Sequence, residues 1–368
     1  MFLSERKIVF IVPSLGAGGI ERVVSNLSNY LFTKGIASIT IICFAKKDPF
    51  YPISLGIDIC YLPKTDFYFL DIIKKILSLR RLLKELKPDV AISFGSMYNS
   101  FFLLSALGLT VKKYVSDRSN PWRNSKFNLK RGGYERHDGL HHYFLKKWLY
   151  RTAHGILTQT KLSTKIETQS FGQEKVIYFP NPIERMPLSL QRKKIILHVG
   201  RFVESKGQLD LIEIYSRLPK YLQNDWELVF VGGGDNYLEK CKERVSQLNL
   251  SSRISFIGFE KDVTKWYSIA EVFAFTSYSE GFPNALAEAM AAGCAAITYN
   301  CDAGPSDIIE NRVNGLLIAV GAKDEFITEL ISLLEDNNFR RQLQMESVKI
   351  TEKFSVDKVI DKLVDEIL

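Results

Sequence analysis

Cysteine is scarce in this chain, and what there is does not pair. Cys43, Cys60, Cys241, Cys294 and Cys301 are odd in number and contain no CxxC spacing. Such a set builds neither a disulfide framework nor a zinc centre, and it points to reduced thiols in a cytoplasmic protein. The sequons Asn26-Leu27-Ser28 and Asn249-Leu250-Ser251 are then accidental. No run of about 18 apolar residues occurs, so no bilayer-spanning helix is expected. The longest apolar stretch, 101–109, still contains Ser105 and Gly108. Ser4-Glu5-Arg6-Lys7 breaks the N-terminal apolar residues, which argues against a secretion signal. Walker, HExxH and GxSxG motifs are missing, and with them three common catalytic classes.

What is present is ordinary in bulk and uneven in distribution. A chain of 368 residues, 46% hydrophobic and 24% charged, can fill two globular cores. Residues 1–182 carry 27 Lys and Arg against 13 Asp and Glu, a net +14; residues 183–368 carry 22 against 28, a net −6. A basic half can face anionic lipid or an anionic acceptor, or simply be a solvated surface. No nucleic-acid-binding motif accompanies the charge, so nucleic acid is not an expected partner.

Apolar runs of strand length alternate with helical patterns throughout. Strands are expected at 7–12, 39–44, 90–93, 113–116, 155–158 and 176–178, with helices at 20–32, 70–86 and 140–150 between them. The alternation restarts with strands at 195–199, 227–231, 254–257, 272–275, 295–298 and 316–318. This predicts an α/β protein of two doubly wound parallel sheets with helices on both faces. The Pro-containing break at 181–187 sets the expected boundary: a first domain over 1–182 and a second over 183–368 that keeps the terminal helices. Ligands of such sheets bind beyond the carboxyl ends of the strands.

The residues that could carry chemistry sit on those carboxyl ends. In Ser279-Glu280-Gly281-Phe282-Pro283-Asn284-Ala285-Leu286-Ala287-Glu288, two carboxylates flank a Gly-Phe-Pro turn that starts a helix. Pro283 suits the first helical turn, and a helix N-terminus is a seat for phosphate. Gly200-Arg201-Phe202-Val203-Glu204-Ser205-Lys206-Gly207 follows the first strand of the second half. Its two cations could bracket a diphosphate, or merely flank a turn. Gly16-Ala17-Gly18-Gly19-Ile20-Glu21-Arg22 follows the first strand of the chain in the same way. Val231-Gly232-Gly233-Gly234-Asp235 and Phe256-Ile257-Gly258-Phe259 are further strand-end loops. No D-x-D occurs, so the usual metal clamp for a nucleotide diphosphate is missing and no metal is expected. His137, His141 and His142 lack a completing carboxylate or Cys at usual spacing.

The 279–288 stretch resembles the E-x7-E motif of the retaining glycosyltransferases of family 4. The 200–207 loop is similar to that family's G-R-x4-K-G element, and 16–22 to its GG-x-E-R loop. Cys301-Asp302-Ala303-Gly304-Pro305-Ser306-Asp307 with Asn314-Gly315-Leu316-Leu317 resembles its closing segment. The resemblance covers nearly the whole chain and is strongest over 195–318. It implies a GT-B architecture, with a first Rossmann-like domain for the acceptor and a second for the nucleotide-sugar donor. It further implies that Glu280, Arg201 and Lys206 are catalytic, the cations by stabilising the departing diphosphate. Glu288 would hold the ribose. Gly18, Gly19, Gly232, Gly258, Phe259, Gly281, Phe282, Pro283, Asn284 and Ala285 would complete the donor site. Asp117, Arg118 and Asn120, in Val115-Ser116-Asp117-Arg118-Ser119-Asn120-Pro121, stand where many family members carry a His. Their pattern looks like the branch that adds hexoses or N-acetylhexosamines to lipid-linked oligosaccharides, and it puts them on the acceptor side. The implied partners are a nucleotide-sugar, UDP-linked by that likeness, and a polyprenyl-diphosphate-linked glycan, at the inner membrane face. No cofactor is implied. The basic, aromatic segment 123–142 could hold an anionic acceptor or be a surface loop. A nucleotide-sugar epimerase and a non-catalytic partner in polysaccharide assembly are the rival readings.

Overall fold

The structure is a computed structural model that describes residues 6–64, 68–120, 140–189 and 191–368. Lys126, Lys130, Arg131, Arg136 and His137 of the basic segment lie outside the described residues; His141 and His142 fall in the helix Leu140–Tyr150. Seven strands form the first sheet: β1 (Lys7–Val12), β2 (Ser38–Cys43), β3 (Asp58–Tyr61), β4 (Val90–Phe94), β5 (Lys112–Asp117), β6 (Gly155–Thr158) and β7 (Val176–Tyr178). Their spatial order is β3-β2-β1-β4-β5-β6-β7, all parallel. β1 and β4 are buried along almost their whole length, as strands covered on both faces must be, so their sequences read as continuous apolar runs.

The second sheet has six parallel strands: β8 (Lys193–Val199), β9 (Glu227–Val231), β10 (Ile254–Gly258), β11 (Ala270–Phe275), β12 (Ala295–Tyr299) and β13 (Leu316–Ile318). The order is β10-β9-β8-β11-β12-β13. Both sheets therefore reverse direction of winding beside their first strand, between β1 and β4 and between β8 and β11. That reversal is the crevice where doubly wound sheets hold ligands. The second core closes around Trp226, Tyr215 and Phe230, with the Tyr215 hydroxyl donating to the carbonyl of Trp226 at 2.6 Å. A buried Tyr is tolerated because its one polar atom is satisfied.

The chain divides into two compact units, residues 183–355 and residues 1–182 together with 356–368. The last helix, Val356–Ile367, thus belongs to the first unit, which corrects the expected second domain of 183–368 at its C-terminal end. The helix is strongly amphipathic: Val359, Ile360, Leu363 and Ile367 are buried, and Tyr30 of the helix Gly19–Thr33 donates a hydrogen bond to Asp361 at 2.8 Å. Its apolar stripe finds a matching face on the first unit's own helix, a pairing that the order of residues along the chain does not reveal. Ile183 and Ser355, where the chain enters and leaves the second unit, pair in a parallel bridge.

Candidate functional site

Two loops meet at the reversal point of the second sheet. The first leaves β8 and runs from Gly200 through a short turn at Glu204–Lys206 to Gly207; the second leaves β11 and runs from Thr276 to Pro283. They are stitched along their length. Thr276 Oγ1 donates to the carbonyl of Gly207 at 2.8 Å, the Tyr278 amide to the Ser205 carbonyl at 2.8 Å, and Ser277 Oγ to the same carbonyl at 3.1 Å. Gly207 has φ +64°, and a Cβ there would lie 2.1 Å from the Thr276 carbonyl oxygen. Only glycine permits both the conformation and the approach.

This stitching brings Lys206 and Glu280 together. Their side chains form an ion pair, with Glu280 only 8% exposed and Lys206 21%. Lys206 Nζ also lies 5.6 Å from the centre of the Phe275 ring. Arg201 is exposed and pairs with no carboxylate among the described residues, while its carbonyl is gripped by the side-chain amide of buried Gln208 at 2.8 Å. The loop that carries both cations is therefore fixed from below by Gln208 and from the side by Thr276.

The helix Asn284–Ala291 begins directly after the second loop. Pro283 occupies the cap position, one residue before the first helical residue, and no side chain caps the helix. Its N-terminal partial charge is left to whatever occupies the crevice. Gly304 fits this turn tightly: a Cβ on it would meet Pro283 at 2.5 Å and the Gly281 carbonyl at 2.8 Å. Phe282 is buried and packs edge-on against Phe354, so its ring anchors the turn. Glu288 lies inside the helix and is buried.

The remaining strand-end glycines form an adjoining backbone floor. Gly232 and Gly200 approach so closely that a Cβ on Gly232 would lie 2.0 Å from the Gly200 carbonyl, and a Cβ on Gly234 would lie 2.4 Å from the Phe202 side chain. The Gly232 amide donates to the Gly258 carbonyl at 2.8 Å. Phe259 beside it is 63% exposed. Thus Arg201, Lys206, Glu280, Gly232, Gly258, Phe259 and the start of the helix at 284 share one edge of one sheet.

One residue of this region is not among those the sequence marks. His198, near the end of β8, is fully buried between Phe230 and Phe275, both at 5.5 Å, with Nδ1 3.0 Å from the Ala274 carbonyl. Burial holds its ring neutral, with a pKa lowered to about 4. A histidine inside an apolar strand run gives no sequence signal beyond breaking the run.

In the first unit, Gly18 precedes the helix Gly19–Thr33, again without a side-chain cap. A Cβ on Gly18 would lie 2.3 Å from the Glu21 carboxylate, which folds back over the turn and whose pKa is raised by burial. Asp117 ends β5 inside a buried polar cluster. It pairs with Lys146 at 2.6 Å and accepts from Asn99 at 2.9 Å and from the Tyr150 hydroxyl at 2.8 Å; Lys146 also pairs with Glu167 at 2.9 Å. Arg118 points elsewhere, over the rings of Phe179 and Phe94, and Asn120 is buried. The three residues the resemblance puts on the acceptor side are therefore neighbours in sequence, but Asp117 and Arg118 have different partners.

Similarity to known proteins extends over nearly the whole chain. Residues 17–185 match the family described as Glycosyltransferase Family 4, and residues 182–349 match Glycosyl transferases group 1. The chain is 28% identical over 366 residues to an uncharacterized glycosyltransferase of Haemophilus influenzae, covering 97% of this chain and 98% of that one. It is 24% identical over 373 residues, covering 96% of each, to a Campylobacter jejuni protein named GalNAc-alpha-(1->4)-GalNAc-alpha-(1->3)-diNAcBac-PP-undecaprenol alpha-1,4-N-acetyl-D-galactosaminyltransferase. Among solved structures, Anabaena HepE in complex with UDP superposes with a TM-score of 0.80 at 16% identity, covering 98% of both chains.

Proposed function

This chain belongs to glycosyltransferase family 4 and has the GT-B fold, and on that premise we propose that it transfers a hexose or N-acetylhexosamine from a UDP-sugar to a polyprenyl-diphosphate-linked glycan. The transfer serves surface-glycan assembly at the cytoplasmic membrane face, retains the anomeric configuration and needs no metal ion. What supports this most is the Lys206–Glu280 ion pair beside an uncapped helix, at the reversal point of the second sheet. Breaking a sugar–phosphate bond builds negative charge on the departing diphosphate. Arg201, Lys206 and the helix start supply fixed positive charge where that charge develops, and preorganised charge of this kind is the strongest lever a site has on such a reaction. Glu280, held by Lys206, accepts hydrogen bonds from hydroxyls of the transferred sugar. Glu288 accepts from the ribose, and the glycine floor at 232 and 258 lets the base approach backbone. The acceptor hydroxyl attacks on the face the nucleotide leaves, and the departing phosphate takes its proton.

Similar proteins support both substrate classes: the Campylobacter enzyme's name specifies an undecaprenol-diphosphate-linked glycan, in keeping with the acceptor, and the HepE structure holds UDP, in keeping with the donor. The test is ligand-induced thermal stabilisation by UDP, GDP, ADP and dTDP, wild type against an Arg201→Ala, Lys206→Ala double variant. UDP should raise the melting temperature of the wild type and not of the variant. A well-folded wild type that no nucleotide stabilises would favour the non-catalytic assembly partner instead.

A further inference from the structure

We propose that Arg118, with the start of the helix Ser96–Ser105, is a receptor for a phosphate oxyanion on the first unit, and that this oxyanion belongs to the acceptor's diphosphate. The second half of that statement rests on the function proposed above; the first does not.

The guanidinium of Arg118 is half satisfied. Nη1 donates to the Phe179 carbonyl at 3.0 Å and to Asn181 Oδ1 at 2.7 Å. Nε and Nη2 are buried and have no hydrogen-bond partner among the described residues. No carboxylate pairs with it there either, because the adjacent Asp117 is taken by Lys146, Asn99 and Tyr150. The Phe179 and Phe94 rings, 4.6 and 5.8 Å away, hold the guanidinium plane. Burial lowers its pKa to about 9, a sign that nothing anionic compensates the charge.

The two unpartnered nitrogens are the informative pair. Nε–H and Nη2–H form one edge of the guanidinium, and that edge is the one that grips two oxygens of a phosphate at once. A side chain needed only for packing between two phenyl rings would carry no such donors. The surroundings add two further features of the same sign. β4 and β5 are in register at Phe94 and Ser116, so the chain leaves these adjacent strands at the same level, with Ser96 and Arg118 each two residues past that pair. Ser96 Oγ is likewise buried without a partner. The ten-residue helix it opens has Gly95 at its cap, no capping side chain and no acidic residue in its first turn. A bidentate edge, a hydroxyl and a bare helix N-terminus thus lie at one carboxyl edge, next to the β1–β4 reversal of the first sheet. A phosphate, with three or more acceptor oxygens, suits such a set of donors better than a carboxylate with two.

The experiment uses the full chain carrying Arg201→Ala and Lys206→Ala, so that phosphate binding at the second sheet is removed. Titration calorimetry with inorganic pyrophosphate and with farnesyl diphosphate then reads the first unit. Both should bind, and adding Arg118→Met should weaken each by about tenfold or more, the usual effect of losing a charge-assisted bidentate contact. Adding Ser96→Asp instead, which offers Arg118 a carboxylate from within, should raise the melting temperature and displace both probes; this arm holds even if Arg118→Met folds poorly. Absence of pyrophosphate binding, or binding within twofold of the parent in both variants, overturns the receptor. Binding of pyrophosphate without farnesyl diphosphate overturns the acceptor assignment. Loss of UDP stabilisation in the wild type would instead count against the glycosyltransferase reading, leaving the pyrophosphate result to stand by itself.

Discussion

Lys206 answers to two partners. At rest it neutralises Glu280, a carboxylate almost wholly withdrawn from water. In the function proposed above, it also faces the diphosphate of the donor. Removing either member does more than delete a contact, since the survivor is left as an uncompensated, partly buried charge. Glu280→Gln keeps the shape and removes the charge that orients Lys206. Turnover should fall about a hundredfold or more, as for loss of a transition-state donor, with circular dichroism unchanged. Lys206→Ala should do the same. Wild-type turnover from both folded variants would remove these residues from the mechanism. Glu288→Ala should instead weaken UDP binding even without a sugar, and unchanged affinity would detach Glu288 from the ribose. His198 makes a different prediction at this scale. Its ring is neutral when folded, with a pKa of about 4 against 6.5 for the free side chain. Between those values the unfolded chain takes up a proton that the folded chain refuses. Stability is therefore undiminished above pH 6.5 and falls as pH drops toward 4, by up to about 3 kcal/mol. His198→Gln should flatten that part of the melting-temperature profile, and a profile unchanged by the substitution would assign the acid sensitivity to other groups.

The loops owe their positions to strand ends and glycines. Gly207 and Gly258 both have positive φ, +64° and +85°, but their surroundings differ. A Cβ at 207 collides with the Thr276 carbonyl, whereas one at 258 meets nothing within 4 Å. Gly207→Ala should therefore cost about 3 kcal/mol, combining strain and a backbone clash, and Gly258→Ala about 1 kcal/mol from strain alone. Equal melting-temperature losses for the two would show that loop stitching contributes little. The same physics explains what is legible in the sequence. Strands buried on both faces announce themselves as apolar runs, and glycines and cations directly after them mark a binding edge. β3, Asp58-Ile59-Cys60-Tyr61, is a short edge strand with mostly half-exposed residues and no such run, so nothing in its composition marks it. The pairing of Lys206 with Glu280 spans 74 residues and appears only once β8 and β11 are neighbours. The commitment of Asp117 to Lys146 is equally hidden, because the helix Leu140–Tyr150 must fold back for the two to meet.

Charge segregation acts on the molecule as a whole. Returning 356–368 to the first unit moves two lysines and four acids, so its net charge becomes +12 rather than +14, and that of 183–355 becomes −4. The basic bias of the first unit therefore survives the reassignment of its last helix. It also has an apolar counterpart. No helix among the described residues is long and apolar enough to cross a membrane. The helix Tyr68–Leu86, however, exposes Leu70, Ile73 and Leu77 at 56%, 40% and 61%, in a shallow groove shared with Lys74 and Arg81. Apolar side chains one helical turn apart, flanked by cations, suit a helix lying on an anionic bilayer. Neither part suffices by itself, since the leucines give area without orientation and the cations give attraction that salt screens. If the first unit meets its lipid-linked acceptor at the membrane through this helix, the protein should sediment with vesicles containing phosphatidylglycerol and not with neutral ones. A Leu70→Asp, Leu77→Asp double variant should bind them at least about tenfold more weakly, and about 0.5 M salt should act in the same direction, while UDP stabilisation at the second sheet is untouched. Vesicle binding that survives both changes would locate the contact on another face of the first unit and leave this stripe an ordinary exposed surface.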